Sequence, residues 1–192
     1  MTEEEKRDRG LWYDAAYDQA LHDECIMAKD LCFEFNQMRP SDGERRAELL
    51  DQLLGSIGEF SQVLSPFQVD YGCNVSIGEG TFLNHGAYLM DGARISIGDH
   101  CFIGPGLQAY TALHPLVAEQ RLRGIERAEP ICIESDVWIG GNVTILPGVI
   151  IRSGSVIGAG SVVTKNIPAG VIAAGNPCRV LRPITAKDAI SD

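Results

Sequence analysis

Two periods of apolar residues divide this chain. From Leu21, the positions Leu21, Cys25, Ala28, Leu31, Cys32, Phe35 and Met38 recur at three- and four-residue steps, the pattern of one face of an amphipathic helix. Pro40 should end it, because proline has no N–H to donate and clashes with the preceding turn. The stretch Ser41-Asp42-Gly43-Glu44 then has capping-box spacing, and Ala47, Leu50, Leu53, Leu54 and Ile57 follow at helical steps. Residues 1–60 are therefore expected to form an N-terminal helical unit containing two helices.

Beyond Ser65 the period becomes six. Ile133, Ile139, Ile145, Ile151, Ile157 and Val163 follow one another at intervals of six, and two residues ahead of each stand Ile131, Val137, Val143, Val149, Ser155 and Ser161. Upstream, Ile77, Leu83, Leu89 and Ile95 keep the same step, with Val75, Thr81, Ala87 and Ala93 as companions. Glycine often follows the large aliphatic residue, as at Ile77-Gly78, Ile103-Gly104 and Ile157-Gly158. No helix has this period. Short strands with alternate residues pointing inward, each followed by a corner that only small residues turn easily, wind into a coil of stacked rungs. Three hexapeptides make one triangular turn, which predicts stacking of large aliphatics 18 residues apart and a prism-shaped core. The two registers are offset by two residues between Ile95 and Ile97, which a small insertion near Asp91-Gly92 would explain.

One segment breaks the pattern. From Tyr110 to Pro130, YTALHPLVAEQRLRGIERAEP carries no repeat, and a loop of that length inside a repeat domain is more often functional than idle. Its first turn holds His114. The expected divisions are the helical unit 1–60, a β-helix over 61–185 with the excursion 110–130, and a tail of 186–192.

Charge and composition narrow the chemistry. With 16 Lys+Arg against 26 Asp+Glu the formal charge is −10, which disfavours nucleic acid and anionic membranes as partners. The six cysteines include no CxxC pair, MTEEEKRDRG lacks the basic-then-apolar pattern of a signal peptide, and no apolar run approaches 18 residues. A cytoplasmic protein with reduced cysteines is expected.

LWYDAAYDQAL, DYGCNVSIGEGTFLN, YTALHP, DVWIGGNVTILPGV, GAGSVVTK and AAGNPCRV together resemble the hexapeptide-repeat acyltransferases, and within them the maltose and galactoside O-acetyltransferases. The resemblance spans nearly the whole chain. It implies a mainly β protein, a left-handed parallel β-helix carrying an N-terminal α-helical segment, assembled as a homotrimer with active sites between subunits. The hand comes from the resemblance alone, since the general rule favours right-handed crossovers. It also implies acetyl transfer from acetyl-CoA to a sugar hydroxyl, with no metal required.

A sugar hydroxyl needs a base to remove its proton as it attacks a thioester, and histidine is the side chain best matched to that task near neutral pH. His114 aligns with the family's catalytic histidine, and general-base help of this kind is worth roughly 10²–10⁴ in rate. His22, His85 and His100 read as structural or surface residues. They raise a rival, the three-histidine zinc site of hexapeptide-repeat carbonic anhydrases, but the spacings 85, 100 and 114 contain no close pair. Gly141 matches the position whose backbone amide meets the oxyanion of the tetrahedral intermediate, and Trp138 matches one lining the pantetheine channel. Asp14, Asp70, Asn84 and Asp91 match acceptor-binding positions, although Asp and Asn also favour turns. Lys165, Arg179 and Arg182 fall in the nucleotide-contacting segments, where local basic groups must meet the coenzyme A phosphates, and Ala159 and Thr164 match positions of close cofactor approach.

The match departs near the acceptor. The family's Asn-x-Asn is Asn84-His85-Gly86, and where the galactoside branch carries Tyr and a second Asp this chain has Phe82 and Gly92. Asp70-Tyr71-Gly72 together with Phe82 is closer to the maltose branch. Two alternatives stay open: transfer to a non-sugar hydroxyl such as serine or an antibiotic, and a non-catalytic trimeric scaffold. A covalent acyl-enzyme is not required, although Cys101 and Cys132 are candidates to test for one.

Overall fold

The computed structural model describes residues 1–190. Its body is a parallel β-helix with three faces. The first face stacks Ser56–Ile57, Val75–Ile77, Ile95–Ile97, Ile131–Ile133 and Ile150–Ile151. The second stacks Gln62–Val63, Phe82–Leu83, Phe102–Ile103, Trp138–Ile139, Val156–Ile157 and Val171–Ala174. The third stacks Phe67–Val69, Ala87–Met90, Gln108–Tyr110, Thr144–Ile145 and Val162–Val163. The first rung thus begins at Ser56, a few residues before the expected boundary at 61.

Inside, the rows Val63, Leu83, Ile103, Ile139, Ile157 and Val69, Leu89, Ala109, Ile145, Val163 are buried throughout. Each large aliphatic side chain so buried contributes about 1.5–3 kcal/mol. At one row of corners Phe60, Gly80, His100, Asp136 and Gly154 all take positive φ. After Phe60, which opens the row, each of these amides donates to the carbonyl one coil back, as His100 N to Glu79 O at 2.8 Å and Asp136 N to Asp99 O at 2.9 Å. His100 is therefore a corner residue, held by its backbone.

The coil length is not constant. Ile133 stacks on Ile151 eighteen residues on, as expected, but Ile57 stacks on Ile77 and Ile77 on Ile97, twenty residues apart. Ile95 consequently belongs with Val75 and Ile131 in the companion row, not with Leu89. The extra residues recur in each early coil, at Asp70-Tyr71-Gly72 and again at Asp91-Gly92, always between the third face and the first. The long excursion leaves from the same edge one coil later, between Tyr110 and Ile131. That edge gathers every insertion in the β-helix.

Three helices precede the coils: α1 (Glu3–Asp8), α2 (Gln19–Gln37) and α3 (Gly43–Leu53). The first was not anticipated, since six residues carry no apolar period. It is also where a capping box forms, with Thr2 Oγ1 accepting from Glu5 N at 3.1 Å and Glu5 Oε2 accepting from Thr2 N at 3.0 Å. The box expected at Ser41 to Glu44 is absent, because α3 starts from Asp42 as N-cap and this leaves Arg45 in the third helical position. Helix α2 lays Phe35 edge-on against Phe67 at 6.4 Å. Asn36 brackets Phe67, donating to its carbonyl at 2.9 Å and accepting from its amide at 2.8 Å. An otherwise open strand edge is thereby covered. At the far end Arg179–Pro183 turns back antiparallel on Val171–Ala174. No helix among the described residues is long and apolar enough to cross a membrane.

Candidate active site

The insertion edge is built around Asp91. Its side chain is 0% exposed, and Oδ1 accepts from the amides of Asp70 at 2.9 Å and Tyr71 at 2.8 Å, while Asn74 Nδ2 donates to its carbonyl at 2.8 Å. The second carboxylate oxygen, Oδ2, is buried with no partner among the described residues. Burial therefore pushes the carboxyl up to about 6, against the pull of the two amides. Asp91 was expected to touch the acceptor, and instead it sits closed off from solvent as a brace for the corner. Asp70 beside it is half-buried, and its Oδ1 accepts from Tyr88 Oη at 2.7 Å.

One coil further, Thr111 repeats the brace. It is fully buried; its hydroxyl donates to Met90 O at 2.6 Å and accepts from Ala93 N at 3.1 Å. The excursion then opens as strand β2 (Ala112–Leu113), the short helix Ala118–Arg121 and strand β3 (Ile125–Ala128), taking β1 as the preceding strand Tyr13–Asp14. These form a small antiparallel sheet in the order β1-β3-β2, so the N-terminal segment and the excursion share one platform. Arg7 ties α1 to α2 and to the insertion corner: its guanidinium meets Glu24 at 2.7 Å and lies 4.6 Å over the Tyr71 ring. His114 follows β2 directly and is exposed, at a cavity also lined by Trp12, Leu113, Pro115, Ile125 and Arg127. Asp14 is half-buried in the same platform, where Oδ1 accepts from Ala16 N and Tyr17 N at 3.1 and 2.9 Å.

A different part of the prism carries the other expected residues. On the second face Trp138, 58% exposed, continues an outward row of Phe82, Phe102, Val156 and Ile172. Beside this ridge runs a trough of Gly104, Gly140 and Gly158, where a Cβ at Gly140 would lie 2.6 Å from the Ala159 amide nitrogen. The trough ends at the corner that holds Gly141. Among the described residues the Gly141 N–H has no acceptor. At corresponding corner positions Glu79, Asp99 and Ser153 donate to the side chains of Asp99, Ser135 and Glu134, and His85 donates to Asn84. Pro105 takes the same corner one coil earlier, and Ala159 one coil later. Asn84 thus shares this second-to-third edge with Gly141 and Ala159. Thr164 and Lys165 follow the last third-face strand, with Lys165 exposed, and Arg179 and Arg182 lie on the closing antiparallel strand. Arg182 is engaged bidentately by Asp188 at 2.7 and 2.8 Å, which holds that carboxyl well below its usual range.

Within one chain, then, His114, Asp14, Asp70 and Asp91 gather at the third-to-first edge, whereas Asn84, Trp138, Gly141 and Ala159 lie across the third face from them. Reading the sequence missed Glu126, Tyr13 and Thr111. Only the quoted LWYDAAY and TALHP segments pointed toward two of them.

Sequence and structural comparisons agree with this architecture. Residues 6–58 match the maltose acetyltransferase hexapeptide capping motif, 133–165 the bacterial transferase hexapeptide (six repeats), and 94–106 the hexapeptide repeat of succinyl-transferase. The chain is 50% identical over 189 residues to a Staphylococcus haemolyticus (strain JCSC1435) protein named for acetyltransferase activity with no acceptor specified, covering 98% of each. It belongs to the hexapeptide-repeat acetyltransferases. Among solved structures of the family, a maltose O-acetyltransferase from Clostridium difficile 630 superposes with a TM-score of 0.93 at 44% identity, covering 96% of this chain and 98% of that one. A galactoside acetyltransferase in complex with coenzyme A gives 0.93 at 38% identity, covering 98% and 94%. The capping motif of this acetyltransferase corresponds to α1, α2 and α3, which close the open end of the coil.

Proposed function

We propose that this acetyltransferase moves an acetyl group from acetyl-CoA to a hydroxyl of a sugar such as maltose, glucose or a galactoside, in a site shared between neighbouring subunits of a trimer. The observation that carries the reading is the division of the expected residues between two edges, each incomplete. The insertion edge holds His114 and the acceptor carboxylates, with the Arg127 guanidinium beside them, but not the Gly141 amide. The second-to-third edge has the unpaired Gly141 amide and an apolar ridge, and its histidine, His85, stands two coils away from Gly141 with Nδ1 against Ser65 O. Bringing the edges of two copies together completes one site per pair. Leu116 and Leu122, 95% and 81% exposed on the excursion, supply apolar surface for that contact.

The chemistry follows from the groups. The acceptor oxygen attacks the thioester carbon while His114 takes its proton. The negative charge that develops on the carbonyl oxygen meets the Gly141 N–H, which is already oriented and gives up no other hydrogen bond to do so. The C–S bond then breaks and the sulfur receives the proton from the imidazolium, giving the acetyl ester and the free thiol of coenzyme A. Lys165, Arg179 and Arg182 are the cations for its phosphates, Arg182 exchanging Asp188 for a phosphate oxygen. Trp138 and the glycine trough flank the pantetheine arm, with Ala159 and Thr164 keeping the backbone approachable.

Thiol release from acetyl-CoA, measured with maltose, glucose, galactosides, serine and chloramphenicol, tests this directly. A sugar should stimulate release, and His114→Ala should lose roughly 10²–10⁴ in rate. Gly141→Pro should lose roughly 10²–10³ in kcat with acetyl-CoA affinity retained, because Pro105 already occupies the equivalent corner. Stimulation by serine or chloramphenicol alone would move the acceptor outside sugars, and full activity of His114→Ala would remove the mechanism.

A further inference from the structure

The excursion carries a carboxylate that no expected role uses. Strand β1 sets Tyr13 opposite Glu126, and β3 sets Arg127 opposite Leu113 and Ala128 opposite Ala112. Continuing that register by one residue places His114 opposite Glu126. Tyr13 is buried and its hydroxyl donates to Glu126 Oε1, while Glu126 itself is only half-buried. Beneath the pair lies Gly92, also buried; a Cβ built on it would sit 3.2 Å from the Tyr13 hydroxyl and 3.5 Å from Glu126 Oε1. The space into which a side chain at position 92 would point is therefore filled from above, by a carboxylate that arrives on the excursion strand.

We propose that Glu126 is a specificity-determining, acceptor-binding residue, and that it supplies from the excursion the carboxylate that position 92 lacks. The inference rests on the acetyltransferase reading given above. Tyr13 pins one carboxylate oxygen and so fixes the side chain, leaving the other oxygen free to accept from a sugar hydroxyl beside His114. Burial and the neighbouring carboxylate both keep the Tyr13 phenol protonated, so it stays a donor. With Asp70 on the adjoining corner the pair makes an acidic rim, which favours uncharged polyhydroxyl acceptors and repels phosphorylated ones.

The test compares the wild type with Glu126→Gln, Glu126→Ala and the double variant Glu126→Ala/Gly92→Asp, reading maltose kcat and KM, calorimetric acetyl-CoA affinity and melting temperature. Glu126→Gln keeps an oxygen for Tyr13 but loses the charge. It should raise the maltose KM roughly tenfold to a hundredfold, as expected for a hydrogen bond to a charged group, with acetyl-CoA affinity and melting temperature unchanged. The double variant should recover part of the loss seen in Glu126→Ala, since truncation opens the space above position 92 and Tyr13 remains there to donate. An unchanged KM in Glu126→Gln overturns the proposal, as does a loss that tracks the melting temperature instead of the charge, or a double variant no better than Glu126→Ala. If no sugar stimulates thiol release by the wild type, the functional reading itself falls and takes this one with it, an outcome visible before any variant is made.

Discussion

Asp91 illustrates how little a residue's type says about its surroundings. An Asp-Gly pair at a corner suits a turn and a sugar contact equally, and only its burial, with Oδ1 on the amides of Asp70 and Tyr71, decides between them. Its proton follows from that burial. Because the folded-state value, about 6, lies above the ordinary 3.8, the native state holds the proton more tightly than the unfolded chain. The resulting cost to stability is absent below about pH 4 and complete once the pH has passed about 6, reaching about 3 kcal/mol. Asp91→Asn keeps an oxygen for the two amides and removes the titration. Its melting temperature, measured against the wild type between pH 4 and 7.5, should rise relative to it as the pH increases; a constant difference would mean that the carboxyl titrates normally.

At the scale of elements, the excursion is held by its first residue. Thr111 ties the start of β2 back to Met90 and Ala93 through its hydroxyl, and its backbone carbonyl accepts from Glu129 N at 2.9 Å, so both legs close on one residue. Thr111→Val preserves shape but strands the Ala93 amide, while Met90 O keeps the Thr111 N–H at 3.2 Å; the change costs about 1–3 kcal/mol. Amide exchange across 112–128 should accelerate and turnover should fall, with Thr111→Ser close to the wild type; unaltered exchange in Thr111→Val would refute the anchor. Helix α2 was legible in the sequence because its apolar face repeats over nineteen residues, from Gln19 to Gln37. The six residues of α1 were not, since they hold their place through Arg7 and Tyr71, contacts distant in sequence. The capping motif at Ser41 failed for a local reason, the start of α3 one residue too late for Glu44 to reach back.

At the scale of the whole molecule the proposed active site needs two copies. Light scattering should give three times the 20.8 kDa chain mass. Glu substituted for Leu116 and Leu122 together should lower that mass and abolish turnover in the same step, because burying two carboxylates without partners costs far more than the lost apolar contact gains. A fully active monomer would sink the shared site. Mixing His114→Ala with Gly141→Pro gives a second reading, since exchange of subunits should regenerate some intact pairs and recover part of the activity.

The sequence by itself determined the β-helix, because a six-residue apolar period has one economical solution, and it marked TALHP as the point where that solution is interrupted. It also held the residue types proposed here as base, oxyanion donor and phosphate contacts. Tertiary structure alone decided that the insertions share one edge, that Asp91 lies inside and Glu126 at the rim, and that Ile95 belongs to the companion row. Those outcomes depend on which residues stack across eighteen, twenty or thirty-six positions of chain. A period read along one dimension fixes the spacing within a rung, while burial and proximity arise between rungs, where two added residues at a corner change every neighbour that follows.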